Sequence, residues 1–414
     1  MPDFYEKIAS TRVAYITRDI ERALGLGSDV PGMFIISNNT PFAKQEKTKA
    51  NRTTIILIEE TELQDTWQLL EHPATKDVMA RENITQVMVF KPTPKIERIC
   101  KAQGWTLINP SAVLANNIEE KISQVTWLEN LTRFLPQHSI LACKDVAWNF
   151  EPFVLQFNRA HTGNGTMLIT SKEQLRGVQE TFPERPVRTS AFISGPMFTS
   201  NNIVTPNTIL TGNISYQITG MAPFTDNPFA TVGNDWHIPQ TILPYDAQSA
   251  CKEIAYAVGK KLQQDGWRGA FGIDLIHEQS TGKMYLIEIN ARQPASVTFE
   301  SQLQSRARSK TGANALTTAE AHTAALLDID IAKATLVPIT NGAQVIVRNG
   351  RVHADNMDML ITALTKRQLT TIPYPNTKPG TDLLRIQSTA SFMDAHQRWS
   401  ALGNDIADTI ITSV

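Results

Sequence analysis

A carboxylate, an amide and a guanidinium interrupt the apolar stretch "MYLIEINARQP" (284–294): Glu288, Asn290 and Arg292, each two residues from the next. The remaining Met284, Tyr285, Leu286, Ile287 and Ile289 read as a buried strand. Side chains alternate faces along a strand, so the three polar groups project toward one side. Upstream, "FGIDLI" carries Asp274 on another apolar run, and Ser280–Gly282 between the two has turn composition. A hairpin closing there brings Asp274 to the Glu288–Asn290 end. Two carboxylates and an amide oxygen are hard ligands of the kind Mg²⁺ takes, with substrate phosphates completing its shell. Arg292, permanently charged, suits a phosphate oxygen. A buried carboxylate is costly unless paired or metal-bound. An Asp/Glu–Arg network capping a hairpin satisfies that condition equally well, and spacing alone leaves both readings open.

The elements that must position these groups follow from the rest of the chain. Its 414 residues suggest two or three domains. With 42% hydrophobic and 19% charged residues it reads as a soluble globular chain with a substantial core. A formal net charge of −1 gives no electrostatic case for nucleic acid or a charged membrane surface as the main partner. Cys100, Cys143 and Cys251 lack metal or redox spacing and fit a reducing, cytoplasmic setting. No signal peptide and no apolar stretch near the roughly 20 residues of a membrane span is apparent.

In the first ~115 residues, 32–37, 53–60 and 85–90 read as strands, 96–104 as a helix ended by Gly104, and "WTLINP" as a further strand, a β/α order that predicts a parallel sheet. The lysine-rich stretch 38–52 reads as a solvated loop. From Asn116, "NNIEEKISQVTWLENLTRFL" predicts one amphipathic helix stopped by Pro136. Then come strand–loop–strand (152–171), a short helix capped by Ser171, a strand (187–195), a long helix (247–266) and the 269–290 hairpin. Near residue 330 the pattern changes, and Asn349-Gly350 between alternating runs predicts a second hairpin.

"GAFGIDLIHEQSTGKMYLIEINARQP" resembles the metal-binding end of ATP-grasp enzymes, whose motif runs G-hydrophobic-D, hairpin, hydrophobic-I-E-hydrophobic-N-x-R; Asp274, Glu288, Asn290 and Arg292 match it. The resemblance implies an α/β, ATP-grasp fold. Its parts would be an N-terminal pre-ATP-grasp-like domain (1–115), an ATP-grasp domain (116–330, lid about 150–190) and a small C-terminal α+β domain (331–414). It implies a phosphate lysine at Lys121 and a lid loop around "FNRAHTGNGTMLIT", where His161, Gly163, Gly165 and Thr166 would meet phosphates. It implies an adenine-contacting segment at Ala191, Phe192 and Ile193. The family's second phosphate lysine is replaced by Gln156, so that either Arg159 or His161 compensates or the nucleotide binds weakly. The implied ligands are ATP with Mg²⁺ (or Mn²⁺) and small-molecule carboxylate and amine substrates. The implied chemistry is amide formation through an acyl phosphate, with Arg292 catalytic and an amino acid or small peptide as one substrate. A different acceptor or a catalytically inactive nucleotide-binding protein are the alternatives. A homodimer is compatible with the sequence, and residues 331–414 are expected to cover the acceptor site.

Other residues divide between roles. Gln217, Asn234, Asp235 and Trp236 either line a substrate pocket or do ordinary turn and packing work. Arg306 and Arg308, in a basic cluster with Lys310, either bind a substrate carboxylate or complement a helix C-terminus. His322, in an alanine-rich helix, reads as packed. No P-loop, H-E-x-x-H or G-x-S-x-G motif is present.

Overall fold

The computed structural model describes residues 2–158, 165–308, 315–352 and 356–412. Its first sheet holds five parallel strands, β1 (Val13–Ile16), β2 (Met33–Asn38), β3 (Thr54–Ile58), β4 (Gln86–Val89) and β5 (Thr106–Leu107), in the order β3-β2-β1-β4-β5. The centre of this sheet, β1, is absent from the sequence reading: four apolar residues after a helix leave too short a pattern. The expected loop at 38–52 contains a helix, Pro41–Lys49. Thr40 caps it by accepting from the Ala43 N–H at 3.1 Å, and Pro41 sits where a missing N–H costs nothing.

The region expected to form the lid folds as a four-stranded antiparallel sheet of β6 (His138–Ala142), β7 (Phe153–Phe157), β8 (Thr166–Ile169) and β9 (Pro186–Ala191), ordered β6-β9-β7-β8. The helix Lys172–Thr181 covers it, capped by Ser171 as the sequence suggests.

The central sheet carries the site. It contains β10 (Met197–Val204), β11 (Ile209–Leu210), β12 (Ile214–Thr219), β13 (Thr231–Asp235), β14 (Gly269–Glu278) and β15 (Lys283–Asn290). The two-residue strands β16 (Ala315–Leu316) and β17 (Thr335–Leu336) pair with each other apart from it. Then β18 (Ala343–Arg348), β19 (Thr370–Pro373) and β20 (Asp382–Ser388) continue it, giving the path β15-β14-β10-β12-β13-β18-β20-β19. The helix Tyr245–Gln264 packs Ile254, Val258 and Leu262 into the core beside Phe271 and Leu286. It ends at Gly266, whose φ of +82° suits glycine.

Two expectations fail here. Asn349-Gly350 does not close a hairpin, because β18 pairs with β20 and a helix (Met357–Lys366) intervenes. The turn instead hydrogen-bonds across to residues 380–381, with the Asn349 N–H donating to Thr381 at 2.8 Å. The single long helix after Asn116 is broken into Ala112–Glu119, Ser123–Leu128 and a 3₁₀ turn. Asn158, at the end of β7, holds the break: its Oδ1 accepts from the Ile122 N–H at 2.9 Å and its Nδ2 donates to Glu120 at 2.7 Å. The side chain of Lys121 therefore leaves from a turn, not from a helix face.

Candidate active site

The hairpin forms as its sequence predicts, with one refinement. Asp274 lies directly opposite Glu288, and Gly272 opposite Asn290, but Leu275 pairs with Leu286, so Ile287 is an extra, bulged residue. Bulges re-aim side chains and recur beside active sites. Here the bulge sets the two carboxylates side by side on one face.

Each polar group has a defined partner. The Lys121 Nζ lies 2.7 Å from Glu288 Oε1. Gln217 Nε2 donates to Asp274 Oδ1 at 2.7 Å, and Asn290 Nδ2 donates to Asp274 Oδ2 at 3.2 Å. Arg292 donates to Asn290 Oδ1 at 2.9 Å and pairs with Glu119, which also holds Lys91. Burial and the adjacent Glu288 charge push the Asp274 pKa up to about 6. Burial acts to raise Glu288 as well, but Lys121, with Arg292 and Arg188 behind it, outweighs that and holds Glu288 below the usual glutamate range.

These donors fit a divalent cation that shares its shell with a ligand. Carboxylate and amide oxygens have two lone pairs each, and the hydrogen bonds above leave acceptor capacity on Asp274 and Asn290. Among the described residues no group of three or more His, Cys, Asp or Glu forms an all-protein metal cage. Two carboxylates and an amide facing an open cavity instead suit Mg²⁺ bound together with phosphate oxygens.

That cavity, about 920 Å³, lies between the lid and the central sheet. Its lid wall has two rows. Leu168, Val154 and Ser190 stand opposite one another across β8, β7 and β9, and Thr166, Gln156 and Arg188 form the next row. Phe192, Ile193 and Met197 continue the apolar row into the segment joining lid to core, and Ile276 and Ile287 face it from the hairpin. Such an apolar slot beside a charged end suits a ligand with an aromatic ring and an anionic tail.

Most expected site residues meet here. Gln156, Thr166, Ala191, Phe192, Ile193, Gln217, Asp274 and Glu288 line the cavity, and Lys121 and Asn290 touch the carboxylates that do. Ala191 donates its N–H to Gln137 at 2.8 Å and so has none for a ligand. Gly165 is buried at the start of the lid's β8, where its carbonyl accepts from the Phe157 N–H at 2.9 Å. His161 and Gly163, with Arg159, lie outside the described residues.

Other expected residues do not join. Asp235 is wholly buried and accepts from the backbone N–H groups of His237, Ile238, Phe392 and Met393 and from Ser391 Oγ, a structural clamp. Asn234 is tied between Ser215 and Gln344. Trp236 is buried against Phe299. Arg306 is exposed near the end of its helix, away from the cavity. Arg308 pairs with Glu320, the capping-box residue of the next helix. His322 is packed as expected; its Nδ1 accepts from the Ala270 N–H at 2.8 Å, and burial lowers its pKa to about 4.

The sequence reading missed Arg188, and although it expected residues 331–414 to cover the acceptor site it singled out none of the residues of 348–397 that line the cavity. Arg188 is a lone arginine in an otherwise apolar and small-residue strand, a visible but unread signal. Arg348, Gly380, His396 and Gln397 line the far end of the cavity, with the His396 ring 2.9 Å from the Tyr216 hydroxyl.

Comparison with known proteins gives a consistent picture. Residues 118–296 match the family model described as the ATP-grasp domain. No curated protein matches by sequence. Among solved structures, carboxyaminoimidazole ribonucleotide synthase from Aspergillus clavatus, complexed with ATP, superposes with a TM-score of 0.65 at 15% identity, covering 98% of this chain and 100% of that one. N5-carboxyaminoimidazole synthetase from Staphylococcus aureus, complexed with ADP, gives 0.63 at 9% identity, covering 97% and 98%. L-amino acid ligase from Bacillus licheniformis gives 0.60 at 14% identity, covering 97% of each chain. At such identities the likeness speaks for the fold.

Proposed function

We propose that the chain, whose residues 118–296 match the family model of the ATP-grasp domain, is an ATP-dependent ligase that joins a carboxylate to an amine. The observation that carries this is the opposed Asp274–Glu288 pair with Asn290, turned toward a lid-covered cavity that has an apolar slot at one end and cations at the other. The neighbours named above include a synthetase bound to ADP and an amino acid ligase, which supports the reaction class.

In this reading ATP lies with its base against Ile193, Met197 and Ile287 and its phosphates toward Lys121. Asp274, Glu288 and Asn290 would hold Mg²⁺. Bound there, the ion would supply positive charge to offset that of the phosphates. The substrate carboxylate attacks that phosphorus, the bond to ADP breaks, and an acyl phosphate forms. Arg292, kept at the hairpin end by Asn290 and Glu119, steadies the transferred group and the developing oxyanion. The amine then attacks the acyl carbon, phosphate departs, and an amide remains. The lid's task is to exclude water, which would hydrolyse the acyl phosphate.

One substrate is taken to be an amino acid or small peptide, and the acceptor end of the cavity is taken to be the part lined by Gln217, Arg348, His396 and Gln397. The test is ADP release with Mg·ATP against pooled amino acids and carboxylic acids, with Glu288→Gln as control. Stimulation by one pool, lost in the variant, is expected. Absence of Mg·ATP binding by the wild type would overturn the proposal.

A further inference from the structure

Gln156 stands where the ATP-grasp resemblance implies a phosphate-binding lysine, and glutamine brings no charge. The lid sheet supplies a cation beside it. Arg188 on β9 lies directly opposite Gln156 on β7. Its residue is 1% exposed, yet it lines the cavity. Among the described residues its Nε has no hydrogen-bond partner, and its one hydrogen bond, NH1 to the carbonyl oxygen of Lys121, is a long 3.5 Å. Among the described residues no carboxylate forms an ion pair with it. The nearest influence is Glu288, whose negative charge acts on it but whose Oε1 is engaged by Lys121.

An unpaired buried guanidinium is costly, and removing its water without supplying an anion is the expensive half of forming an ion pair. The fold tolerates this because Arg188 belongs to the polar row of the lid wall, with Thr166 and Gln156, next to the apolar row that suits a base. A guanidinium fork matches two phosphate oxygens at once. Gln156 already donates to Thr166 at 3.2 Å, which fixes its amide and leaves charge compensation to its neighbour.

We propose that Arg188 is the lid's phosphate-binding cation, a role moved one strand across the sheet from the position held by Gln156. This rests on the ligase reading above, and its ligand is the polyphosphate of a nucleoside di- or triphosphate. It makes Gln156 no sign of a disabled nucleotide site.

The test compares dissociation constants of Mg·ATP, ADP and adenosine for the wild type, Arg188→Gln, Arg188→Lys and the double variant Arg188→Gln/Gln156→Lys, each checked for folding by circular dichroism. Arg188→Gln should weaken ATP and ADP roughly 10- to 100-fold, the scale of a lost charged hydrogen bond, while adenosine stays near wild type. A lysine at 156 in the double variant should recover most of the loss. Equal weakening of adenosine, or unchanged ATP affinity in a folded Arg188→Gln protein, would overturn the assignment alone. A wild type that binds no Mg·ATP would overturn the ligase reading as well. If Arg188→Gln does not fold, Arg188→Lys carries the same comparison: a loss confined to phosphate-bearing ligands supports the role, and a loss shared with adenosine overturns it.

Discussion

Asp274 and Glu288 face each other across the antiparallel pair, yet only Glu288 touches a cation: Lys121 lies 2.7 Å from it, while Asp274 is held by two amides. The two carboxylates are thus tuned apart, Glu288 held ionised and Asp274 raised to about 6. This asymmetry gives the first prediction. Glu288→Gln should keep the fold but lower ADP release at least about 100-fold, because it replaces an anionic ligand by a neutral one and leaves Lys121 without its counter-ion. Turnover close to wild type would take Glu288 out of the chemistry.

Gln217 acts through Asp274. In Gln217→Leu, Asp274 Oδ1 loses its donor and its orientation, and outer-shell changes of this kind weaken metal affinity about 10- to 100-fold. The Mg²⁺ concentration for half-maximal ADP release should rise accordingly, with turnover at saturating Mg²⁺ less affected. Complete metal removal by a chelator should stop ADP release, and added Mg²⁺ should restore it.

Asp235 should prove structural. Its carboxylate accepts four backbone N–H groups and a serine hydroxyl, and it ties β13 to residues 391–393. Asp235→Ala leaves those donors buried without an acceptor and should cost about 3 kcal/mol or more, read as a lower urea midpoint. A variant of wild-type stability with altered substrate KM would return Asp235 to the substrate-binding role.

Glu300 gives the protein a pH-dependent stability. It is wholly buried between Asn201, Asn213 and Thr318, and burial, opposed by those hydrogen bonds, raises its pKa from 4.5 to about 7. The folded state then binds the proton more tightly than the unfolded state. This contribution to stability is fully present below about pH 4.5 and is lost as pH rises through about 7. Glu300→Gln should remove that dependence and, at pH 8, stabilise the protein relative to wild type by up to about 3 kcal/mol. Parallel Tm–pH curves for the two proteins would contradict this.

What was legible in the sequence was what is local. Asp274, Glu288 and Asn290 share one hairpin, so period-two alternation and a turn signal sufficed to bring them together. The Ile287 bulge, which sets the carboxylates opposite one another, left no signal in an unbroken apolar run. Arg188 was visible as a lone arginine in its strand, but its role was not legible: that comes from the lid order β6-β9-β7-β8, in which it neighbours a residue more than thirty positions earlier. Asp235 and Trp236 have the composition of a polar loop, but pairing of β13 with β18 buries them. The Asn349-Gly350 signal failed because the partner of β18 arrives only after an intervening helix, a connection that short-range patterns do not encode.

The continuation of the central sheet by β18, β20 and β19 has a consequence for synthesis. As the chain leaves the ribosome, β13 is made more than a hundred residues before its neighbour β18. During that interval its outer backbone groups form an unprotected rim, the kind of edge on which nascent chains adhere to one another. Gly233 stands in the middle of that rim, and β18 packs so close that the space for any side chain there is filled by the Gln344 carbonyl. A chain paused after β15 and before β18 would therefore display β13 as an unpaired edge of a half-built sheet.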